Sequence, residues 1–514
     1  MRRILLAIVA FAGLSSAAAA QTAPAIHRAA QTITAQDIQH RIGVIADDSM
    51  LGRFTPSPGL EKTAKYVADQ FRKFGLKPAG EHGTFFQRYV IARRRIDPAG
   101  SHVSFAIHGS RKDVGLDRDA RFAFGRAIPA EIHGPAFLVG GTFSSQESAP
   151  LPVKGKAVIM VLDYRQPIPP AVQQAVGSVM QQGAAGVILL SNRDSLAFAN
   201  RVANQSGVRE GVEGSEEIGP PVVEVHERAL GEVLQEAGIR PDEIRGAAGL
   251  VTRELPDLTI GFAVKDQIID SVSAPNTIGV LEGSDPKLKS EYLIYSAHMD
   301  HIGTAGAGEC QARGGDTICN GADDDGSGTV SVVELAQAFS QPGARPKRSV
   351  IFLTVSGEER GLWGSGYFTN HPTIPLPQVV ADLNIDMVGR NWKDTIVAIG
   401  KEHSDLGATL NRIGAEHKEL HMAPIDDRWP EENFYYRSDH YNFARKGVPI
   451  LFFFNGTHPD YHQPSDSPDK IDAEKQMRIV QLLFYLGQDI ANAPTRPKWN
   501  PDSYAKIVEQ KPTS

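Results

Sequence analysis

Five short stretches of this sequence set metal-ligating side chains in turns or at the ends of apolar runs. "SAHMDH" carries His298 and Asp300, "GADDDGSG" the triplet Asp323, Asp324 and Asp325, and "SGEERG" the pair Glu358 and Glu359. Asp386 lies in "NIDMVG" and His462 in "PDYHQPSD". Imidazole nitrogen and carboxylate oxygen suit zinc, and a catalytic zinc keeps one position open for water. Two divalent cations ~3.5–4 Å apart need a bridging ligand, which a short Asp carboxylate provides, and they activate a water between them. A carboxylate outside the ligand set must then accept a proton from that water. Adjacent glutamates can divide this labour, one binding metal and the other acting as base. Asp300, two residues from His298, is placed to orient its imidazole. Singly, an acid at a strand end is more often a helix cap or solvated, and a lone His more often structural. Five such positions at successive strand ends resist that explanation.

The acidic triplet has a second reading. Counted from Asp323 it gives Asp at positions 1 and 3, Ser at 5, Gly at 6 and Glu334 at 12, the spacing of an EF-hand calcium loop. An EF-hand needs a helix on both sides, and "GTAGAGECQARGGDTICN" before it is glycine-rich and patternless, with no second copy elsewhere. Glu334 is then a surface residue of the helix formed by "TVSVVELAQAF", with Val330, Val333 and Phe339 facing inward. "GLWGSG" lacks the Lys-Ser/Thr ending of a phosphate loop. Ser438, in "SDH", lacks a nucleophile elbow and is left a supporting role near the metals.

These residues need a scaffold that brings strand ends together. "EYLIYSAHMD", "KRSVIFLTVSGEE", "VVADLNIDMVG" and "VPILFFFNG" are apolar runs of strand length with polar C-terminal ends, separated by helical patterns. Such alternation implies an α/β fold with a mixed, largely parallel sheet flanked by helices. In such sheets, sites form beyond the C-terminal ends of the strands. Residues 36–129 read as the first part of this domain, opening with an amphipathic helix stopped by Gly75. Residues 130–255 read as a smaller inserted α/β unit, 256–494 as the catalytic stretch, and 495–514 as an exposed extension.

Residues 1–20 have the charged start, apolar run and A-x-A ending of a signal peptide, which predicts a secreted or periplasmic protein. No later run reaches the ~18 apolar residues of a membrane span. A net charge of -7 argues against a nucleic-acid partner. The two cysteines, Cys310 and Cys319, suit a local disulfide better than a cysteine zinc site.

The motifs "SAPNTIGVLEGSD", "YSAHMDHIG", "NGADDDGSG", "VSGEERGLWGS", "NIDMVGR" and "SDHYNFARKGVPILFFFNGTHPDYHQPSD" resemble, in order and spacing, the family-28 zinc metallopeptidases of the secreted co-catalytic aminopeptidase type. "LGRFTPSPGLEKTAKYVADQFRKFGL" resembles the start of that catalytic domain, and the inserted unit resembles a protease-associated domain. The resemblance implies a zinc-peptidase-like three-layer sandwich and two Zn2+ ions per chain. His298, Asp324 and Asp386 would serve one ion and Asp324, Glu359 and His462 the other, with Asp324 bridging and a cis peptide between Asp324 and Asp325. Glu358 would be the general base, Asp300 the carboxylate behind His298, and Tyr435 the group that stabilises the oxyanion. Some relatives flank this tyrosine with a disulfide; here the cysteines lie elsewhere. The implied activity is removal of N-terminal residues from peptides. A carboxypeptidase or dipeptidase on the same scaffold would need a basic pocket, for which Arg390, Arg428 and Arg437 are candidates. A glutaminyl cyclase or a non-catalytic ectodomain would be expected to lack part of the ligand set.

Overall fold

The computed structural model describes residues 24–509 apart from 126, 143–149, 169, 205–207 and 215–218; the signal peptide read in residues 1–20 lies outside the described residues. The chain divides into two compact units, one formed by the residues up to Val90 and from Ser273 onward, the other by Ile91–Val272.

In the first unit, helices α1 (Ala35–Ile45) and α2 (Pro58–Lys73) precede β1 (Phe86–Ile96), along which the chain leaves, and β2 (Asp266–Leu281), along which it returns. Ser57 caps α2 by accepting from Leu60 N, and Pro58 stands at its first position, where a missing N–H costs nothing. Then follow β3 (Tyr292–His298), α3 (Gly328–Phe339), β4 (Ser349–Val355), α4 (Trp363–Asn370) and β5 (Val379–Ile385). The chain ends through β6 (Thr395–Ile399), α5 (Leu406–Glu416), β7 (Ala423–Ile425), β8 (Ile450–Phe453) and α6 (Ala473–Asn492). The order across the sheet is β7-β6-β8-β5-β3-β4-β2-β1. β8, β5, β3 and β4 run parallel, while β2 is antiparallel to β4 and β6 to β8. This is the mixed, largely parallel sheet that the sequence implies.

Both faces are covered. On one, Tyr295 and Phe352 stack 6.0 Å apart and join Phe339 of α3 and Phe484 of α6. On the other, Ile294, Ile351 and Leu353 meet Phe368 of α4 and Phe443. Burial on both faces is why these strands read as continuous apolar runs rather than alternating ones. Register then levels their ends, since His298 pairs with Val355 and Ile385 with Phe453. Whatever follows those four residues lies along one sheet edge.

Glu334 departs from expectation. It is fully buried, because α3 is enclosed along nearly its whole surface, and Arg41 of α1 meets it at 2.6 Å. Burial outweighs that arginine and pushes its carboxyl up to about 8. The tail after Pro494 is also not a free extension up to residue 509. Arg496 pairs with Glu291, Trp499 donates to Gly447 O, and Ile507 is buried.

Among the described residues, the second unit is built on an eight-stranded mixed sheet. Its parallel centre is made by Ile128–Gly141, Ala157–Val161, Gly186–Ser191 and Val222–His226. Apolar clusters cover both of its faces. Its limits are wider than the expected 130–255. His102–Ile107 pairs with Leu250–Val264, which also pairs with Ile128–Gly141, so the flanking strands belong to this sheet. Buried Glu224 is held by Arg121, Arg193 and Arg201.

Candidate metal centre and active site

His298 ends β3, Asp386 follows β5, Glu358 and Glu359 lie between β4 and α4, Asp324 precedes α3, and His462 lies beyond β8. The structure brings all of them together. His298 Nε2 lies 3.4 Å from Asp324 Oδ1 and 3.6 Å from Asp386 Oδ1. His462 Nε2 lies 3.2 Å from both Asp324 Oδ2 and Glu359 Oε2. Two donor groups therefore share Asp324, one of its oxygens facing each.

The donor set fits zinc. Bonds of ~2.0–2.1 Å in a tetrahedron place neighbouring ligand atoms about 3.3–3.4 Å apart, close to these separations. Asp386 Oδ1 and His462 Nε2 are buried with no hydrogen-bond partner. The field points the same way. Burial would lower the pKa of His462, but Asp324 and Glu359 outweigh it and push the imidazole up to about 10. His298 is likewise raised well above its ordinary value, against burial, by Glu358, Asp386, Asp300 and Asp324. The cluster calls for positive charge, and a divalent cation competes with protons for the same atoms.

The three aspartates of the acidic turn have different partners. Asp323 accepts from Gly389 N at 2.6 Å and faces His458. Asp325 accepts from the backbone N–H groups of His298, Gly328 and Met387, tying the ends of β3 and β5 to the start of α3. That leaves Asp324 for metal, and its peptide bond to Asp325 is cis. Asp466 accepts from Asp323 N and Asp324 N. Gly321 stands at φ +56, and a Cβ there would meet Asp324 O at 2.1 Å. Beneath the turn, fully buried Arg53 donates to the carbonyls of Ile45, Met299, Asn320, Gly321 and Asp324.

Asp300 stands behind His298, whose Nδ1 lies 3.2 Å from the Asp300 carbonyl and 3.7 Å from Oδ1. Its carboxylate also accepts from Glu358 N and from Thr55 Oγ1, so His298 and Glu358 both hang on one residue. Ser438 Oγ donates to Asp386 Oδ2 at 3.1 Å, the supporting role expected of it. Glu358 belongs to neither donor group. Burial, with the carboxylates of Asp439, Glu359 and Asp386, pushes it well above the usual carboxylate range against the pull of His298. It lines a cavity of about 280 Å³ with His298, Asp324, Glu359 and Asp386 at one end and Trp429, Phe434, Phe452 and Phe454 as apolar wall.

Tyr435 does not join this cavity. The single 3₁₀ turn Phe434–Tyr436 advances about 120° per residue, so Phe434 and Arg437 share the cavity face and Tyr435 turns away. Its ring packs against His403 and His440 in the apolar cluster, and its hydroxyl has no hydrogen-bond partner. Tyr436 is half exposed. The tyrosine lining the cavity is Tyr461, stacked on the His462 ring at 3.9 Å. Burial and the charges of Asp324, Glu359, Asp386 and Glu358 raise its pKa, which keeps the phenol a hydrogen-bond donor. Its position next to His462 was the available signal. Arg53 and His301 were also missed, since neither stands out in the sequence by type or spacing.

A model of peptidase family M28 matches residues 276–487. The leupeptin-inactivating enzyme 1 of Streptomyces exfoliatus is 28% identical over 213 residues, 41% of this chain and 42% of that protein. A probable leucine aminopeptidase of Arthroderma otae is 25% identical over 227 residues, 43% of this chain and 58% of that protein. The chain thus spans about half the length of these curated relatives. Among solved structures, the zinc aminopeptidase BSAP from Bacillus subtilis is 17% identical with a TM-score of 0.46, covering 93% of this chain and 98% of that one. Residues 276–487, the segment that matches the peptidase family M28 model, carry every candidate ligand described above.

Proposed function

We propose that this protein is an exported zinc aminopeptidase with two Zn2+ ions, one in each donor group. The observation that carries the reading is Asp324, whose two oxygens face two separate donor groups beside a carboxylate, Glu358, that belongs to neither. Bound zinc would supply Lewis acidity toward the scissile carbonyl and make water acidic enough to lose a proton near neutral pH. Glu358 takes that proton and returns it to the departing amine. The Tyr461 hydroxyl donates to the oxygen that gains charge. Tyr461→Phe is expected to lower kcat about 10²-fold with little change in KM, as for loss of one such donor. Steady-state kinetics on a short peptide check this, and an unchanged kcat would remove Tyr461 from the reaction.

Peptide-end selection follows from the charges on the cavity wall. Glu432 and Arg437, 3.4 Å apart, offer a carboxylate for an α-ammonium and a guanidinium for a free α-carboxylate. The relatives named aminopeptidases favour the first. Arg437 supports a second reading as a carboxypeptidase or dipeptidase; Arg390 is paired with Asp460 and Arg428 lies over Trp392. One apolar peptide, assayed free, N-acetylated and C-amidated, separates the two. Acetylation is expected to abolish cleavage and amidation to leave it; the reverse would establish the second reading. The second unit is assigned no chemistry, because its sequence offers no catalytic constellation. Export rests on the signal-peptide pattern of residues 1–20.

A further inference from the structure

His301 is fully buried, three residues beyond His298, and enters neither ligand set implied by the family resemblance. Its Nδ1 lies 2.8 Å from Glu359 Oε1 and 3.6 Å from Asp324 Oδ2. The ring is held on two sides, by the His462 ring in an edge-to-face contact at 5.5 Å and by Gly321, while the residue's backbone N–H donates to Arg53 O. A Cβ at position 321 would approach its Cγ and Cδ2 to 2.5 Å. Among the described residues, the buried Nε2 has no hydrogen-bond partner.

These facts leave two roles for the imidazole, as a fourth ligand or as a donor to a ligand. Two atoms bound to one zinc at ~2.0–2.1 Å are about 2.9 Å apart even at a right angle and about 3.3–3.4 Å apart in a tetrahedron. At 2.8 Å, Nδ1 and Glu359 Oε1 are at the distance of a direct hydrogen bond. Ligation through Nδ1 would also place the ring proton on Nε2, a buried donor with no acceptor. With the proton on Nδ1, no buried N–H is left alone.

We propose that His301 is a positioning residue that donates Nδ1–H to Glu359 Oε1 and so confines Glu359 to the cation through Oε2 alone. That oxygen is the one facing His462 Nε2, at 3.2 Å. A carboxylate free to rotate would offer either oxygen or both; this one presents a single atom in one direction. Hydrogen bonds that orient a ligand carboxylate typically carry 10–100-fold in metal affinity. The proposal rests on the dinuclear reading above.

The test is stepwise zinc binding by the purified full chain, measured by competition with a chromophoric chelator, for wild type, His301→Ala and His301→Asn. Asn sets an amide N–H close to where Nδ1 stands and offers no imidazole. His301→Ala is expected to weaken one of the two zinc ions 10–100-fold and the other little, and His301→Asn to recover most of that loss. Cobalt substituted for zinc should give the same visible spectrum in wild type and His301→Asn. If His301→Ala left both affinities unchanged, the histidine would be a bystander and the proposal wrong. A His301→Asn variant as weak as His301→Ala, with a changed cobalt spectrum, would make the imidazole a ligand and also overturn it. Fewer than two ions on wild type would overturn the dinuclear reading itself, and this inference with it. Should the cavity left by Ala prevent folding, His301→Phe fills the ring's space without a donor and takes its place.

Discussion

Glu358→Gln is expected to retain its full zinc content and lose about three to four orders of magnitude in kcat. The amide keeps the size and shape of the side chain, and no donor atom of either group comes from residue 358. What it removes is the capacity to accept a proton, and general-base catalysis is worth typically ~10²–10⁴-fold. The upper part of that range applies because the carboxylates closest to the histidines are already engaged. Asp324, Asp386 and Glu359 belong to the two candidate donor groups, and Asp300 is occupied by Thr55, Glu358 N and His298. Metal analysis and kinetics on the same preparation check the pair of outcomes. Near-normal kcat would mean that the proton goes elsewhere; lost zinc would mean that Glu358 is a ligand.

The second large effect lies outside the cavity. Arg53→Met is expected to destabilise the first unit by about 3–5 kcal/mol, the cost of breaking a buried charged network by removing one partner. Met fills much of the stem's volume but takes the guanidinium from five backbone carbonyls, of which Gly321 O keeps a second donor in Gly326 N. A buried acceptor with no partner costs more than a lost surface contact returns. Three of those carbonyls, of Asn320, Gly321 and Asp324, belong to the acidic turn that presents Asp324, so zinc affinity should fall together with stability. Thermal unfolding of the zinc-free protein should show a midpoint lower by about 10 °C. An unchanged midpoint would mean that the turn holds its shape without the guanidinium.

How far the sequence could be read depended on what each residue's signal was. The sheet was legible because strands buried on both faces must be apolar along their length, and β3, β4, β5 and β8 are. The meeting of His298, Asp324, Glu359, Asp386 and His462 was legible because five such side chains near the ends of apolar runs resist separate explanations, and the register levels those ends. Glu334 was misread because helical periodicity assumes a solvent-facing side, which an enclosed helix lacks. Tyr435 was misread because in a 3₁₀ turn one residue of offset means 120° of rotation, a difference that spacing alone does not resolve. Arg53 and His301 act through long-range contacts, to Asp324 O across 271 positions and to Glu359 across 58, and no local pattern encodes either.

The division of the first unit around the second has a consequence on the ribosome. Arg53, Thr55, α1 and α2 emerge well before the segments they will pack against, and Asp324 follows Arg53 by 271 residues. At ~5–20 residues per second that interval is about 15–50 s. Throughout it, Ile38, Ile42, Val67 and Phe71, all buried in the finished protein, have no core to enter. Residues 91–272 are contiguous and can close as they appear. The nascent chain therefore carries an apolar leading segment behind which a contiguous unit can assemble.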